Sequence, residues 1–183
     1  MKISFLILAL ALFSTGLFAD NLSSEKTSAE PPADGDVCFS PVEPCDQKLL
    51  KFIEGAEKSI DIAIYDLNLD QIGHALLVKA KKIPVRIIVD KRQAKERNSL
   101  VPMLIRAGAN LRYGHQRGIM HNKFVIIDGH RIETGSFNFT NHASRSNNEN
   151  QIYLGTVSIV DRYKHRFEEI WNEAKQFPIA RSN

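Results

Sequence analysis

From residue 46 onward the apolar positions switch between two periods. Leu49, Leu50, Ile53 and Ala56 recur at helical spacing behind Asp46, a residue suited to an N-cap. Residues 59–65 alternate apolar and polar side chains, as a half-buried strand does. Residues 71–82 read as a helix, and Pro84 opens a strand over 85–89. The next stretch predicts a helix ending near residue 107, interrupted by Pro102 and closed by Gly108. A short strand follows at 110–113. Residues 124–127 form a β-branched and aromatic run, the mark of a buried strand, and Asp128-Gly129 behind it is a hairpin signal. A strand at 151–154 and an amphipathic helix at 157–175 complete the pattern, with Ile159, Phe167, Ile170, Trp171 and Ala174 facing the core. Alternating strands and helices predict an α/β fold, a mixed sheet sandwiched between helices in one domain.

The ends of the chain differ from this pattern. Lys2 precedes an apolar run over 3–13, and Leu17-Phe18-Ala19 offers a cleavage point, so residues 1–19 read as a signal peptide. Its length also approaches the roughly 17–25 residues that span a bilayer, so an uncleaved anchor is the alternative. Residues 20–37, rich in Ser, Glu, Pro and Asp, predict a disordered tether, the folded domain is expected at 38–177, and 178–183 form a tail. These features predict an exported protein, periplasmic or anchored at a membrane. Cys38 and Cys45 are the only cysteines. In an exported chain they predict a disulfide, contributing roughly 2–3 kcal/mol in the chain-entropy model. Half of a zinc site is the alternative, but no further Cys or His stands at the usual spacing.

Charge is unevenly distributed. Residues 20–61 hold ten acidic against four basic side chains, whereas 62–183 hold eleven acidic against nineteen basic. The basic residues include Lys79, Lys81, Lys82, Arg86, Lys91, Arg92, Lys95 and Arg97, with Arg112, Arg117 and Arg131 around residues 121–128. Such a field concentrates polyanions. Lys91, Arg92, Lys95 and Arg117 are the candidate substrate contacts. Lys79, Lys81 and Lys82 fit a solvated helix face equally well.

The chemistry concentrates between 121 and 149. His121 and Lys123 are two apart and share one face of the predicted strand, and Ser136 and Asn138 share a face of the next segment. The hairpin folds both pairs toward one place. A lone His on a strand is usually a core residue, but a Lys on the same face is costly without an anionic partner. His115, His74, His130, His142 and His165 read as groove or surface positions, and Phe137 and Phe139 as core.

The pattern H-x-K-x4-D followed by G-S-x-N resembles the signature of the phospholipase D superfamily, and one copy in a short chain resembles that family's small bacterial nucleases, including a membrane-associated form. The resemblance covers residues 46–176. It implies His121 as nucleophile, Lys123, Ser136 and Asn138 as stabilisers of phosphate oxygens, and Glu149 as the carboxylate that orients His121. Asp128 reads as structural support. A second histidine must protonate the leaving group. A single motif therefore implies a homodimer with its site at the two-fold axis. No metal or cofactor is implied.

The leading expectation is a metal-independent endonuclease acting through a phosphohistidine on DNA or RNA. The resemblance to the membrane-associated form points to single-stranded DNA as the partner. A phospholipase D acting on lipid head groups is the alternative, argued against by the basic surface. A non-catalytic nucleic-acid-binding module lacks a reason for the full motif. A metal-dependent nuclease, which His121-Asn122 superficially suggests, lacks a carboxylate cluster.

Overall fold

A computed structural model describes residues 31–114 and 118–177; the expectations for residues 1–30, for His115 and Arg117, and for the 178–183 tail lie outside the described residues. The elements are β1 (Val37–Ser40), α1 (Cys45–Glu54), β2 (Ile60–Ile64), α2 (Asp70–Ala80), β3 (Val85–Asp90), a 3-10 turn (Gln93–Lys95), α3 (Val101–Arg106), β4 (Asn110–Gly114), β5 (Lys123–Ile127), β6 (Arg131–Gly135), α4 (Asn141–Arg145), β7 (Glu149–Leu154), α5 (Val157–Glu173) and β8 (Lys175–Gln176). All eight strands join one mixed sheet in the order β1-β7-β6-β5-β2-β3-β4-β8. Strands β2, β3 and β4 run parallel, joined through α2 and α3, and the other pairings are antiparallel.

Alternation along the strands divides the core in two. Ile60, Ile62 and Ile64 of β2 with Val125 and Ile127 of β5 pack under α1–α4. Ala63, Ile88, Phe124, Ile126 and Ile132 pack under α5. Phe137 and Phe139 are buried in the first layer. On α5 the buried residues are Val160, Phe167, Ile170 and Trp171, while Ile159 and Ala174 are only half-buried, so the helix is turned by one position at its start.

Several local expectations are corrected. Pro44, not Asp46, occupies the cap of α1; Asp46 lies in the first turn, where its carboxylate accepts from Gln71 Nε2 at 2.8 Å. Pro102 does not interrupt a long helix but stands in the first turn of a short one, where its missing N–H costs nothing. Ordered contacts begin ahead of residue 38: Gly35 N donates to Tyr153 O at 2.7 Å and Asp36 accepts from Lys48 at 2.8 Å. The edge strands β1 and β8 and the short α4 carry no periodic signal. Cys38 of β1 and Cys45 of α1 form a disulfide with Cα atoms 5.6 Å apart. Among the described residues no helix is long and apolar enough to cross a membrane.

Candidate active site

β2 pairs with β5 so that Ile64, at the carboxyl end of β2, lies opposite Lys123, the first residue of β5. This register brings the residues after β2 beside the residues before β5. Lys123 is 8% exposed, whereas His121, just outside the strand, is exposed. Lys123 Nζ donates to the main-chain oxygen of His121 at 2.8 Å. Burial lowers the Lys123 pKa, and the charge of Glu149 partly offsets that. Among the described residues no carboxylate forms an ion pair with Lys123. A desolvated ammonium with one carbonyl partner is suited to an anionic ligand.

Tyr65 touches both motif residues. Its ring meets His121 edge-on at 4.7 Å between centroids and lies 5.4 Å from Lys123 Nζ. Gln93 Nε2 donates to its hydroxyl at 3.0 Å. Sequence reading missed both residues; an aromatic at the carboxyl end of a parallel strand was the available signal for Tyr65.

The G-S-x-N segment follows β6. A Cβ on Gly135 would clash with the main chain of Asn150, so glycine is required for β6 and β7 to close here. That approach lets Ser136 N donate to Asn150 O at 3.1 Å, while Ser136 Oγ accepts from Asn150 N at 3.1 Å. Ser136 Oγ donates to Glu149, whose other oxygen accepts from Asn147 Nδ2 at 3.0 Å. The expected bond between Glu149 and His121 is therefore not formed: Ser136 and Asn147 hold the carboxylate on β7. Asn138 is half-buried, and its Oδ1 is buried without a partner.

Asp128 stands at the opposite end of β5. It accepts from the main-chain N–H groups of Glu57, Lys58 and Ser59 at 3.0, 2.6 and 3.0 Å, tying down the α1–β2 loop. Burial pushes its pKa up, but these donors outweigh it and hold the group below the ordinary carboxylate value.

The basic residues divide. Lys91, Arg92 and Lys95 are exposed on the segment after β3. Buried Asp90 ties this segment to the motif: Oδ1 accepts from Arg92 N at 2.8 Å, and Oδ2 from Met120 N, next to His121, at 3.1 Å. Four others serve elsewhere. Arg86 pairs with Asp61 and Glu168 at 2.7 Å each and covers Phe167. Lys79 donates to the carbonyls of Glu54 and Ala56. Arg112 donates to Trp171 O at 2.6 Å, and Arg131 lies over Phe52 and donates to Pro32 O.

Among the described residues, the one group of three converging Cys, His, Asp or Glu donors is Cys38, Glu43 and Cys45, whose sulfurs are already joined. The site offers an accessible imidazole, a buried ammonium and amide and hydroxyl groups. Such groups can attack a phosphoryl centre and stabilise its oxygens.

Residues 49–171 match the family described as "Cardiolipin synthase, PLD-like domain". The mitochondrial cardiolipin hydrolase of Xenopus laevis is 32% identical over 127 residues, covering 69% of this chain and 60% of the relative. The chain thus spans about 60% of the length of that curated relative. Nuc from Salmonella typhimurium, a phospholipase D family member, superposes with TM-score 0.74 at 28% identity over 79% of this chain and 97% of Nuc. NucT from Helicobacter pylori shares the fold with TM-score 0.73 at 24% identity, over 79% and 99% of the two chains.

Proposed function

The chain belongs to the phospholipase D superfamily of phosphodiesterases, and we propose that it is a metal-independent endonuclease of single-stranded nucleic acid that works as a homodimer. The observation that carries this reading is the pairing of an exposed His121 imidazole with a buried Lys123 ammonium bound to the same residue's carbonyl. A nucleic-acid substrate is supported by the exposed Lys91, Arg92 and Lys95, which Asp90 ties to the segment entering His121, and by the match to nearly the full length of Nuc.

In the reaction, neutral His121 attacks phosphorus and the P–O bond to the leaving group breaks. The His121 of a second copy, protonated, gives its proton to the leaving oxygen. Water then attacks the phosphohistidine, its proton passes to that second imidazole, and the P–N bond breaks. Lys123 neutralises the non-bridging oxygens, and Asn138 donates to them. Glu149 acts on Lys123 through its charge and on the G-S-x-N turn through Ser136. Asp128, far from these atoms, supports the loop before β2.

The apolar residues 3–19 and the disulfide support export, with the chain facing the periplasm or attached to a membrane through its N-terminal segment. Phospholipid hydrolysis is the second reading, favoured by the likeness to the cardiolipin hydrolase.

The test is incubation of the purified chain with labelled single- and double-stranded DNA, RNA and cardiolipin vesicles in excess chelator. Cleavage of single strands, with retention of configuration at a chiral phosphorothioate, is the expected result. Lipid turnover without nucleic-acid cleavage would establish the second reading, and loss of cleavage in chelator would refute metal independence.

A further inference from the structure

Beyond the motif, the segment after β3 borders a groove that the chemistry above does not use. Tyr113 of β4, Phe177, Ile105 and the stems of Lys91, Lys95 and Arg106 line a volume of about 470 Å³, within the ~300–1,000 Å³ typical of ligand sites. The Tyr113 and Phe177 rings meet edge-on at 4.9 Å, and Lys91 Nζ lies 5.6 Å from the Tyr113 centroid. Both rings are half-buried, and the three cations are exposed. Among the described residues none of these cations pairs with a carboxylate. The segment that borders the groove is also tied to the active site. Gln93, between Lys91 and Lys95, holds the hydroxyl of Tyr65, whose ring rests against His121.

We propose that this groove is a subsite for a single-stranded segment flanking the scissile phosphate, with a base against Tyr113 and Phe177 and neighbouring phosphates on Lys91 and Lys95. The inference rests on the nuclease reading above and extends it to the source of strand preference. Unpaired cations beside half-exposed aromatic rings complement a polyanion whose bases carry free π-faces. A duplex keeps those faces stacked inside the helix. An acyl chain would use the apolar lining but leave three cations without a role.

The experiment uses the full-length chain with a single-stranded oligonucleotide, cardiolipin vesicles and bis(p-nitrophenyl) phosphate, a diester too small to reach the groove. Phe177→Leu and Tyr113→Leu keep apolar bulk and remove the aromatic face; Phe177→Trp restores it. The Leu variants are expected to raise KM for the oligonucleotide about tenfold or more, with turnover of the small diester unchanged and the Trp variant like wild type. An oligonucleotide carrying 5-iodouracil should photocrosslink wild-type protein at Tyr113 or Phe177, a readout independent of the variants' folding. Oligonucleotide cleavage with unaltered KM and crosslinks elsewhere would overturn the subsite alone. So would Leu variants that become monomeric by light scattering, which would make the groove a contact between copies, or a KM increase confined to vesicles. A wild-type chain that turns over lipid but no nucleic acid would overturn the nuclease reading and the subsite with it.

Discussion

Lys123 Nζ donates to the main-chain oxygen of His121 at 2.8 Å, so the charge of the site is anchored to the residue that carries the imidazole. The spacing of two places Lys123 in the first position of β5 and His121 just before it. The bond adds that any shift of the segment before β5 moves both groups together. Asp90, bound to Met120 N at 3.1 Å, fixes that segment from the side of β3. The imidazole-bearing segment and the charge are thus pre-positioned by main-chain contacts, the arrangement electrostatic stabilisation needs.

Replacing His121 by Ala is expected to reduce hydrolysis roughly 10⁴-fold or more, since the proposed mechanism assigns His121 the attack and, from a second copy, the proton donation. On the proposed reading, affinity for single-stranded DNA should be largely retained, because that reading assigns it to the cations. Rates together with filter binding on the same preparation check this. Wild-type turnover by the variant would remove His121 from the mechanism.

Lys123→Ala is expected to lower kcat by about 10²–10³-fold, the range for loss of one preorganised donor to a developing anion. Because burial pulls the Lys123 pKa below its ordinary 10.5, its ammonium is lost at lower pH than that of a solvated lysine. The alkaline limb of the wild-type rate profile should therefore fall before pH 10.5 and be absent from the residual activity of the variant. A pH–rate series on both proteins decides.

Asp128 separates the structural from the chemical part of the motif. Asp128→Ala removes the acceptor for the amides of Glu57, Lys58 and Ser59 and places Ala at φ 54°. A loss of about 1–3 kcal/mol is expected. Asp128→Asn keeps an acceptor and tolerates that backbone conformation, so it should lose less. Both should retain kcat per folded molecule. Urea unfolding beside active-site titration checks this, and a large fall in kcat with normal stability would give Asp128 a chemical role.

The reason some of the site was legible and some was not is physical. His121 and Lys123 stand at the start of β5, and Ser136 and Asn138 follow β6, its hairpin partner, a neighbourhood in the chain that local spacing encodes. Tyr65 and Gln93 reach His121 only through the pairing of β2 with β5 and the turn after β3, contacts that no local period encodes. Glu149 was legible as a position but not in its partner: the resemblance implied His121, whereas the close approach of β6 and β7 at Gly135 puts Ser136 against the carboxylate. The basic cluster divides for a simpler reason. Arg86 and Lys91 are neighbours in sequence, but the rise of a strand separates them by roughly 16 Å, at opposite ends of β3. The edge strands β1 and β8 escaped because four and two residues are too few to show alternation.

Glu133 gives the last test. It lies on β6 opposite Tyr153, 1% exposed, with both carboxyl oxygens lacking partners. Burial pushes its pKa up to about 8 from 4.5. Between those values the unfolded chain has released the proton and the folded chain retains it. The folded state then binds more protons, so stability must fall as pH rises across this window, by up to about 1.4 kcal/mol per pH unit, and level off above about pH 8. Glu133→Gln removes the titration and keeps the shape. Relative to wild type, the variant should therefore gain stability steadily from pH 5 to pH 8, and the difference should then become constant. Urea midpoints at fixed protein concentration, with the disulfide intact, measure this difference free of the other titrating groups. Parallel curves for the two proteins would mean that Glu133 is ionised in the folded state, with water or a moved side chain supplying the partners its oxygens lack.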